Sequence, residues 1–191
     1  MSAILDIETT GLEPYAHRVI TVGIQFVEPN ELGKEPLILF LEEASDEGEK
    51  RLLIYTQRVL EELNVIFTWK GSVFDMPFLR ARALYHDVDL SFTMKITHID
   101  LWNVVRELFV IYRDFKRTPS LEAFCLWKFK YRRRVNLRGT DIPSLYERWV
   151  RERDRSARNL IESHCREDLH MTYMVLNALK PYLSFMFPMG V

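Results

Sequence analysis

The stretch ILDIETTGL (residues 4–12) combines an apolar strand pattern with two acidic residues and ends in a turn. Alternate residues of a β-strand project to the same face, so Asp6 and Glu8 lie on one side of it, about 7 Å apart at the backbone. Two acids this close on a core strand raise each other's pKa unless a cation lies between them. The alternative is an edge strand with a solvated face. The TTGL turn ends the strand there, so that a ligand can reach the carboxylates.

The composition predicts a single globular domain. The chain has 191 residues, of which 48% are hydrophobic and 28% charged, and a chain of this size buries about 70% of its unfolded surface. We therefore expect residues 1–191 to form one domain. Two cysteines make no disulfide framework, and no apolar run reaches the roughly 20 residues of a membrane span, so we expect a cytoplasmic protein with no membrane partner. With a net charge of −1, an anionic partner must be held by a local patch.

Hydrophobic periodicity predicts an α/β fold. Alternating β-forming residues predict strands at 3–9 and 19–28, and a third at 36–43 follows a hairpin loop. Ser45 and Asp46 offer a helix N-cap before an amphipathic pattern. The later elements are predicted as a strand at 64–69, a helix at 75–86, a strand at 96–101 and a nearly all-helical region from residue 101 onward. This order is typical of an α/β domain with a mixed sheet.

Two more acidic residues occur in segments far from the first strand. Asp75, in WKGSVFDMPFL (69–79), stands where a buried strand gives way to a helix; it is either an N-cap or part of a metal site. In HCREDLH (164–170), His164 and Asp168 are four positions apart and share a helix face. Four carboxylates from three distant segments match the oxygen ligands that two hard divalent cations require.

The segment KFKYRRRVNLR (128–138) contains six basic residues in eleven, interleaved with aromatic and apolar side chains. Single-stranded nucleic acid binders use this mixture, with phosphates on Lys or Arg and bases on rings. Arg132, Arg133 and Arg134 are then the phosphate contacts. A solvated charged face is the equally weighted alternative.

Three motifs in this order, DIETTGL, GSVFDMPFL and HCREDLHMT, resemble those of the DnaQ-like, or DEDD, 3′–5′ exonucleases. The resemblance spans nearly the whole chain, and residues 120–149 are similar to the branch related to the exonuclease domain of family B DNA polymerases. It implies a ribonuclease H-like fold whose first three strands are antiparallel. It also implies that two Mg²⁺ or Mn²⁺ ions are held by four acids, namely Asp6, Glu8, Asp75 and Asp168.

The resemblance further implies two-metal hydrolysis at a 3′ end, with single-stranded DNA as the favoured substrate. Asp6 would bridge both ions, and His164, with an ordinary pKa of about 6.5, would take the proton from the attacking water. An exoribonuclease uses the same acids. The motifs are also compatible with a proofreading module and with a catalytically inactive nucleic-acid-binding module, although the latter would normally have lost one acid.

Two positions depart from the family pattern. His164 stands at the spacing where this branch usually has Tyr, so it is either a true base or a group that orients the water. Lys70 replaces the usual Asn before Gly71 and is either a phosphate contact or an exposed strand end. The nucleic-acid contacts implied outside the basic segment are Thr9, Thr10, Gly11, Leu12, Lys70 and Phe74. Leu12 either wedges against the terminal base or belongs to the core.

Two further features have structural interpretations. His98 and Asp100, in THIDLW, belong to a strand near the site and are interpreted as supporting residues. The uncharged apolar tail PYLSFMFPMGV (181–191) either folds back onto its own domain or packs against a neighbouring subunit in a homo-oligomer.

Overall fold

The computed structural model describes residues 1–27, 35–109, 111, 119–135 and 137–186. Its centre is a five-stranded sheet in the order β3-β2-β1-β4-β5. The strands are β1 (Ser2–Thr9), β2 (Val19–Phe26), β3 (Leu37–Phe40), β4 (Val65–Thr68) and β5 (Thr97–Asp100). The first three strands pair in antiparallel fashion, whereas β4 is parallel to both β1 and β5. The predicted mixed sheet with three antiparallel strands is therefore confirmed.

Six α-helices flank this sheet within the described residues. They are α1 (Asp46–Leu60), α2 (Asp75–Tyr85), α3 (Leu101–Leu108), α4 (Leu121–Phe129), α5 (Ile142–Glu152) and α6 (Arg155–Met186). Ser45 caps α1 by accepting a hydrogen bond from the backbone N–H of Gly48 at 3.0 Å, as its position in the sequence predicts. The helical character predicted from residue 101 onward is confirmed by α3 to α6.

The central strand β1 is buried on both faces because helices cover the two sides of the sheet. Ala3, Leu5 and Ile7 belong to one apolar cluster, whereas Ile4 belongs to a second cluster that contains most of the buried apolar side chains of α6, from Cys165 onward. Asp6 and Glu8 follow Ile4 at the two-residue period and therefore face α6. The strand thus presents its two acids to the last helix.

The C-terminal ends of the parallel strands lie at one edge of the sheet. The pairing of β1 with β2 shifts register between Glu8 and Thr9, which ends regular pairing just beyond the second acid. β4 and β5 end at the same edge, since both are parallel to β1. Ligand sites of open α/β sheets lie at such edges, so the fold puts Asp6 and Glu8 where a ligand can bind.

A single glycine allows α6 to approach the sheet closely. Gly23 of β2 is the register partner of Asp6, and a Cβ atom added there would lie 2.4 Å from Cys165 Sγ and 2.8 Å from a methyl group of Leu169. A glycine inside a strand often marks such an approach. The absence of a side chain at Gly23 therefore lets α6 bring His164 and Asp168 towards β1.

The apolar tail predicted from residue 181 begins inside α6, which continues through Pro181 to Met186. Leu183 is buried, whereas Phe185 is 88% exposed. The remainder of that segment, 187–191, lies outside the described residues, so both interpretations of the tail stay predictions. Within the described part of the chain, no helix is both long and apolar enough to cross a membrane.

Candidate active site

Glu8, His164 and Asp168 meet at the edge of the sheet. Each offers one ligand atom, and these atoms all lie within 4.8 Å of one another. His164 Nε2 is 3.7 Å from Glu8 Oε1 and 3.4 Å from Asp168 Oδ2. The i,i+4 spacing on α6 thus brings the imidazole and the carboxylate together, as the sequence predicts.

Asp75 joins this group from the start of α2. It is the first residue of the helix, and the capping position belongs to Phe74, so the N-cap interpretation is wrong. Its Oδ1 atom instead accepts a hydrogen bond from the backbone N–H of Ile7 at 3.1 Å. Because Ile7 lies between Asp6 and Glu8, this bond fixes α2 against the strand that carries the first two acids.

The pKa values of the four acids are raised. Burial is the largest cause for each, and for Asp6 the negative charges of the other three acids come next. The pKa of Glu8 also lies well above its usual range, that of Asp75 rises to about 7, and that of Asp168 rises to about 6. The site therefore holds more negative charge than its protein partners neutralise.

The site residues fit a divalent metal. Asp6 Oδ2 is buried and has no hydrogen-bond partner among the residues that the structure describes. A buried carboxylate oxygen without a donor is unfavourable, and it is the kind of ligand that Mg²⁺ and Mn²⁺ bind. The donor set of carboxylates, with one imidazole beside them, meets the same requirement. The acidic cluster is thus chemically suited to a divalent cation.

A cavity of about 340 Å³ opens onto the acids. Asp6, Glu8, His164 and Asp168 are among the residues that line it. Its other lining residues are Ile7, Ser120, Leu121, Glu122, Arg133, Leu137, Arg138 and Gly139. The basic segment singled out in the sequence therefore contributes to the wall of the cavity and is not wholly a solvated face.

Arg133 contacts the acidic cluster directly. Its Nη2 atom donates to Asp168 Oδ1, and its Nη1 atom is 3.2 Å from His164 Nδ1. Its neighbours behave differently: Arg132 and Arg134 are exposed, and the backbone N–H of Arg134 donates to the carboxylate of Glu167 at 2.9 and 3.2 Å. The three arginines, predicted together as phosphate contacts, thus occupy different environments.

His164 is a neutral imidazole in this environment. Burial, and next the positive charge of Arg133, lower its pKa to about 4, so the ordinary value assumed from the sequence does not apply. Arg133 has only donors to offer, so His164 Nδ1 accepts and the ring proton lies on Nε2, which faces Glu8 and Asp168. A protonated Nε2 supports a role in orienting groups by hydrogen bonding more than a role as a base.

The turn after β1 is held by its own side chains. Thr9 Oγ1 donates to the carbonyl of Gly11 at 2.6 Å, and Thr10 Oγ1 accepts from the backbone N–H of Arg18 at 2.8 Å. Leu12, another contact predicted in this turn, is 78% exposed. The core interpretation of Leu12 is therefore wrong, and its side chain is available to a ligand.

The loop before Asp75 is shaped by Asp100. Its carboxylate accepts hydrogen bonds from the backbone N–H groups of Lys70, Ser72 and Trp102 at 2.9, 3.0 and 3.0 Å. Lys70 has a positive φ of 67°, and its Nζ atom lies 5.4 Å from the centre of the Trp102 ring. These contacts support the interpretation of Asp100 as a supporting residue.

The remaining predicted residues in this region pack locally. The ring of Phe74 lies 5.4 Å from that of Phe78, and His98 Nε2 is 2.8 Å from Thr68 Oγ1. His98 is thus also a supporting residue. Gly23 was not predicted as a functional position, although a lone glycine within a strand pattern was its signal, and nothing in the sequence distinguished Arg133 from its neighbours.

Comparison with known proteins identifies the fold. Residues 3–180 match the model of a family described as the RNase_H superfamily. The chain is 29% identical over 179 residues, 93% of its length and 94% of the relative's, to an uncharacterized protein of Methanocaldococcus jannaschii. Its structure is similar to a family B DNA polymerase from the hyperthermophilic archaeon Pyrobaculum calidifontis, with a TM-score of 0.74 and 18% identity over 95% of this chain. This chain spans about 25% of the polymerase. The ribonuclease H-like fold implied by the motifs is thereby confirmed.

Proposed function

Because the chain belongs to the RNase_H superfamily, whose members are usually hydrolytic nucleases, we propose that it is a metal-dependent 3′–5′ exonuclease of the DnaQ-like (DEDD) group. The observation that carries this proposal is a group of four acids, two buried and two partly buried, in which one carboxylate oxygen of Asp6 has no hydrogen-bond partner within the described residues. A structural role does not explain such a concentration of negative charge, since unpaired buried charges destabilise a fold.

Asp6, Glu8, Asp75 and Asp168 would hold two Mg²⁺ or Mn²⁺ ions. Bound there, the ions would activate a water molecule and stabilise the charge on the leaving oxygen. The negative charges of the other three acids all act on Asp6, so this residue is best placed to contact both ions. Glu8 and Asp168 are grouped with His164, and Asp75 completes the set from α2.

The protein's own residues would orient the water and the substrate. His164 Nε2–H, 3.4 Å from Asp168 and 3.7 Å from Glu8, would hold the attacking water by a hydrogen bond. This is the role that the structure favours among the two left open by the sequence. Leu12, exposed beside the strand end, would pack against the terminal base, and Lys70 would contact a phosphate.

Single-stranded nucleic acid is the proposed substrate. A cavity of about 340 Å³ is at the small end of the range for ligand pockets, which suits one unpaired nucleotide at a time. Aromatic and basic side chains continue from it along α4 and the following segment, where Trp127 is 54% exposed. Such a surface binds strands by stacking and charge without reading the sequence. We propose single-stranded DNA as the preferred substrate and RNA as the alternative.

The test is a degradation ladder. DNA strands labelled at the 5′ end, the matching duplex and RNA of the same sequence are incubated with Mg²⁺ or Mn²⁺, with and without chelator. We expect products that shorten one nucleotide at a time from the 3′ end of single-stranded DNA, with no products in chelator. Shortening of RNA alone would favour the exoribonuclease alternative.

A matched pair of variants assigns the activity to the site. Asp168→Asn removes a proposed metal ligand, whereas Glu162→Gln removes an acid on the same helix that pairs with Arg158 at 3.1 Å. We expect the ladder to disappear in the first variant and to persist in the second. A ladder that survives in Asp168→Asn, or in chelator, would contradict the proposed function.

A further inference from the structure

The guanidinium of Arg133 lies at the edge of the acidic cluster, where it pairs with Asp168. Within the part of the chain that the structure describes, no other cationic side chain contacts Asp168 directly. Its side chain is 12% exposed and that of Asp168 is 15% exposed. The pair is therefore largely shielded from water, which strengthens the attraction between the two charges. Arg133 also contacts His164, so it bridges two members of the site.

The backbone around Arg133 holds the guanidinium in this place. Lys130 ends α4 in the left-handed conformation, with φ 59°, which turns the chain towards α6. The carboxylate of Glu167 then accepts hydrogen bonds from the backbone N–H of Arg134. Because Glu167 and Asp168 are adjacent on α6, this anchor positions the preceding arginine over Asp168.

We propose that Arg133 is a built-in counter-ion of the metal-free site, which competes with the divalent cation for Asp168 and is released when the cation binds. This inference rests on the proposed function, because it takes Asp168 to be a metal ligand. A ligand that binds only one of two states has its apparent affinity reduced by the fraction of molecules in that state. Arg133 therefore raises the metal concentration at which the site fills.

Release would also give the arginine a second use. A guanidinium that no longer pairs with Asp168 remains in the wall of the cavity, where its planar donors match the oxygens of a phosphate. Metal loading would then expose the phosphate contact that the substrate needs. Metal and nucleic acid would favour each other's binding, since such a coupling is reciprocal.

Calorimetric titration of Mn²⁺ into nucleic-acid-free protein tests this proposal. Arg133→Gln is compared with wild type and with Arg132→Gln, which removes the same charge from an exposed neighbour. We expect the Kd for Mn²⁺ to fall by at least about fivefold in Arg133→Gln. In Arg132→Gln it should change by less than about twofold at about 0.15 M salt, because exposed charges are screened. An equal change in both variants, or none in Arg133→Gln, would overturn the proposal.

Two further measurements keep the result interpretable. Arg133→Lys serves if the Gln variant does not fold, because it retains the charge but loses the planar pair of donors. We expect Arg133→Lys to bind Mn²⁺ more tightly than wild type, and an unchanged Kd contradicts the proposal.

The second measurement is the melting temperature. In chelator, Arg133→Gln should melt at a lower temperature than Arg132→Gln, and Mn²⁺ should reduce this difference in melting temperature. A difference that Mn²⁺ does not change also contradicts the proposal. Wild-type protein that binds no Mn²⁺ would overturn the proposed function itself, and this inference with it.

Discussion

Two buried ionic clusters in this molecule respond to burial in opposite ways. Glu49 of α1 is fully buried, yet its pKa lies below the usual range, because hydrogen bonds from Arg82, His86 and the backbone of Val19 outweigh the effect of burial. Glu8 is also buried, at 7% exposed, and Asp6 is partly buried, yet the pKa values of both lie well above the usual range. The difference lies in the partners: one acid is surrounded by donors, whereas the others face mainly one another.

The compensated cluster has a structural task. Arg82 donates to both oxygens of Glu49, at 2.9 and 2.6 Å, and its third contact is the carbonyl of Pro14 at 2.8 Å. His86 Nε2 lies 3.0 Å from the same carboxylate. The cluster therefore ties α1 and α2 to the turn that follows β1. Although Asp46, Glu49 and His86 are also close enough to hold an ion, the guanidinium of Arg82 already supplies the positive charge.

The contrast between the clusters teaches that buried acids mark a functional site only when their charge is left uncompensated. Replacing one acid by its amide should therefore have opposite effects on stability in the two clusters. At the uncompensated site it removes repulsion, whereas at Glu49 it leaves a buried cation without its partner.

The largest effect is expected for Asp6→Asn. The amide keeps the size of the side chain but weakens metal binding, so we expect kcat on single-stranded DNA to fall by at least about a thousandfold. In chelator, the same variant should melt at or above the temperature of wild type, because a repelling charge is gone. Nuclease assays and thermal melts measure the two effects, and a variant that is both active and less stable would break the comparison.

Glu49→Gln should instead destabilise the fold. Breaking a buried ion pair by removing one partner costs about 3–5 kcal/mol, and Arg82 is only 4% exposed, so solvent cannot replace the lost carboxylate. Urea denaturation measures the change in the free energy of unfolding. Glu43→Gln is the matched control, since its pair with Arg51 is exposed on both sides and should contribute less than about 1 kcal/mol.

Gly23→Ala tests how closely α6 must approach the strand that bears the acids. The added methyl group would meet Cys165 Sγ at 2.4 Å, and overpacking of this kind typically costs about 1–3 kcal/mol. Because α6 also carries His164 and Asp168, activity should fall along with stability. In the double variant with Cys165→Ala, which removes the nearest clashing atom, both should recover in part; no recovery would show that the approach at Gly23 does not position the site.

The sequence predicted the elements of the fold with little error because they depend on local patterns. Predicted strands at 19–28 and 64–69 became Val19–Phe26 and Val65–Thr68, and a predicted helix at 75–86 became Asp75–Tyr85. The four acids could be singled out as candidates because each stands in a short motif on a regular element. Spacing within one strand or one helix fixes which face a residue occupies.

Contacts between distant segments were not predictable in this way. Arg133 looked like its neighbours in the sequence, and only the path of the chain over α6 sets it against Asp168. The pKa of His164 departs from its ordinary value for the same reason, since burial and Arg133 together lower it. Glu49 and Arg82 are 33 residues apart, and neither lies in a sequence motif that predicts their ion pair.

The smallest effect is expected for a change of one pH unit in the metal-free protein. The folded acids at the site have raised pKa values, about 7 for Asp75 and about 6 for Asp168, whereas unfolded carboxyls titrate near 4. Between about pH 4 and pH 7 the folded state therefore binds more protons than the unfolded state, and stability falls as the pH rises, by on the order of 1 kcal/mol per unit. Glu49 affects the pH dependence of stability in the opposite direction, because its pKa is lower in the folded state than in the unfolded state. Its contribution to stability is complete above the unfolded pKa, near 4.3, and is lost as the pH falls through the folded pKa.

The two clusters can be separated by urea denaturation at a series of pH values in chelator. Asp75→Asn should flatten the decline between about pH 5 and pH 7, because it removes a group that takes up a proton on folding. Glu49→Gln should leave that decline in place and remove part of the loss of stability below about pH 4.3. Saturating Mg²⁺ should abolish the decline in wild type, since the ion supplies the positive charge that the acids lack. If wild-type protein in chelator showed no such decline, the acids at the sheet edge would be compensated by other groups, and the contrast between the two clusters would fail.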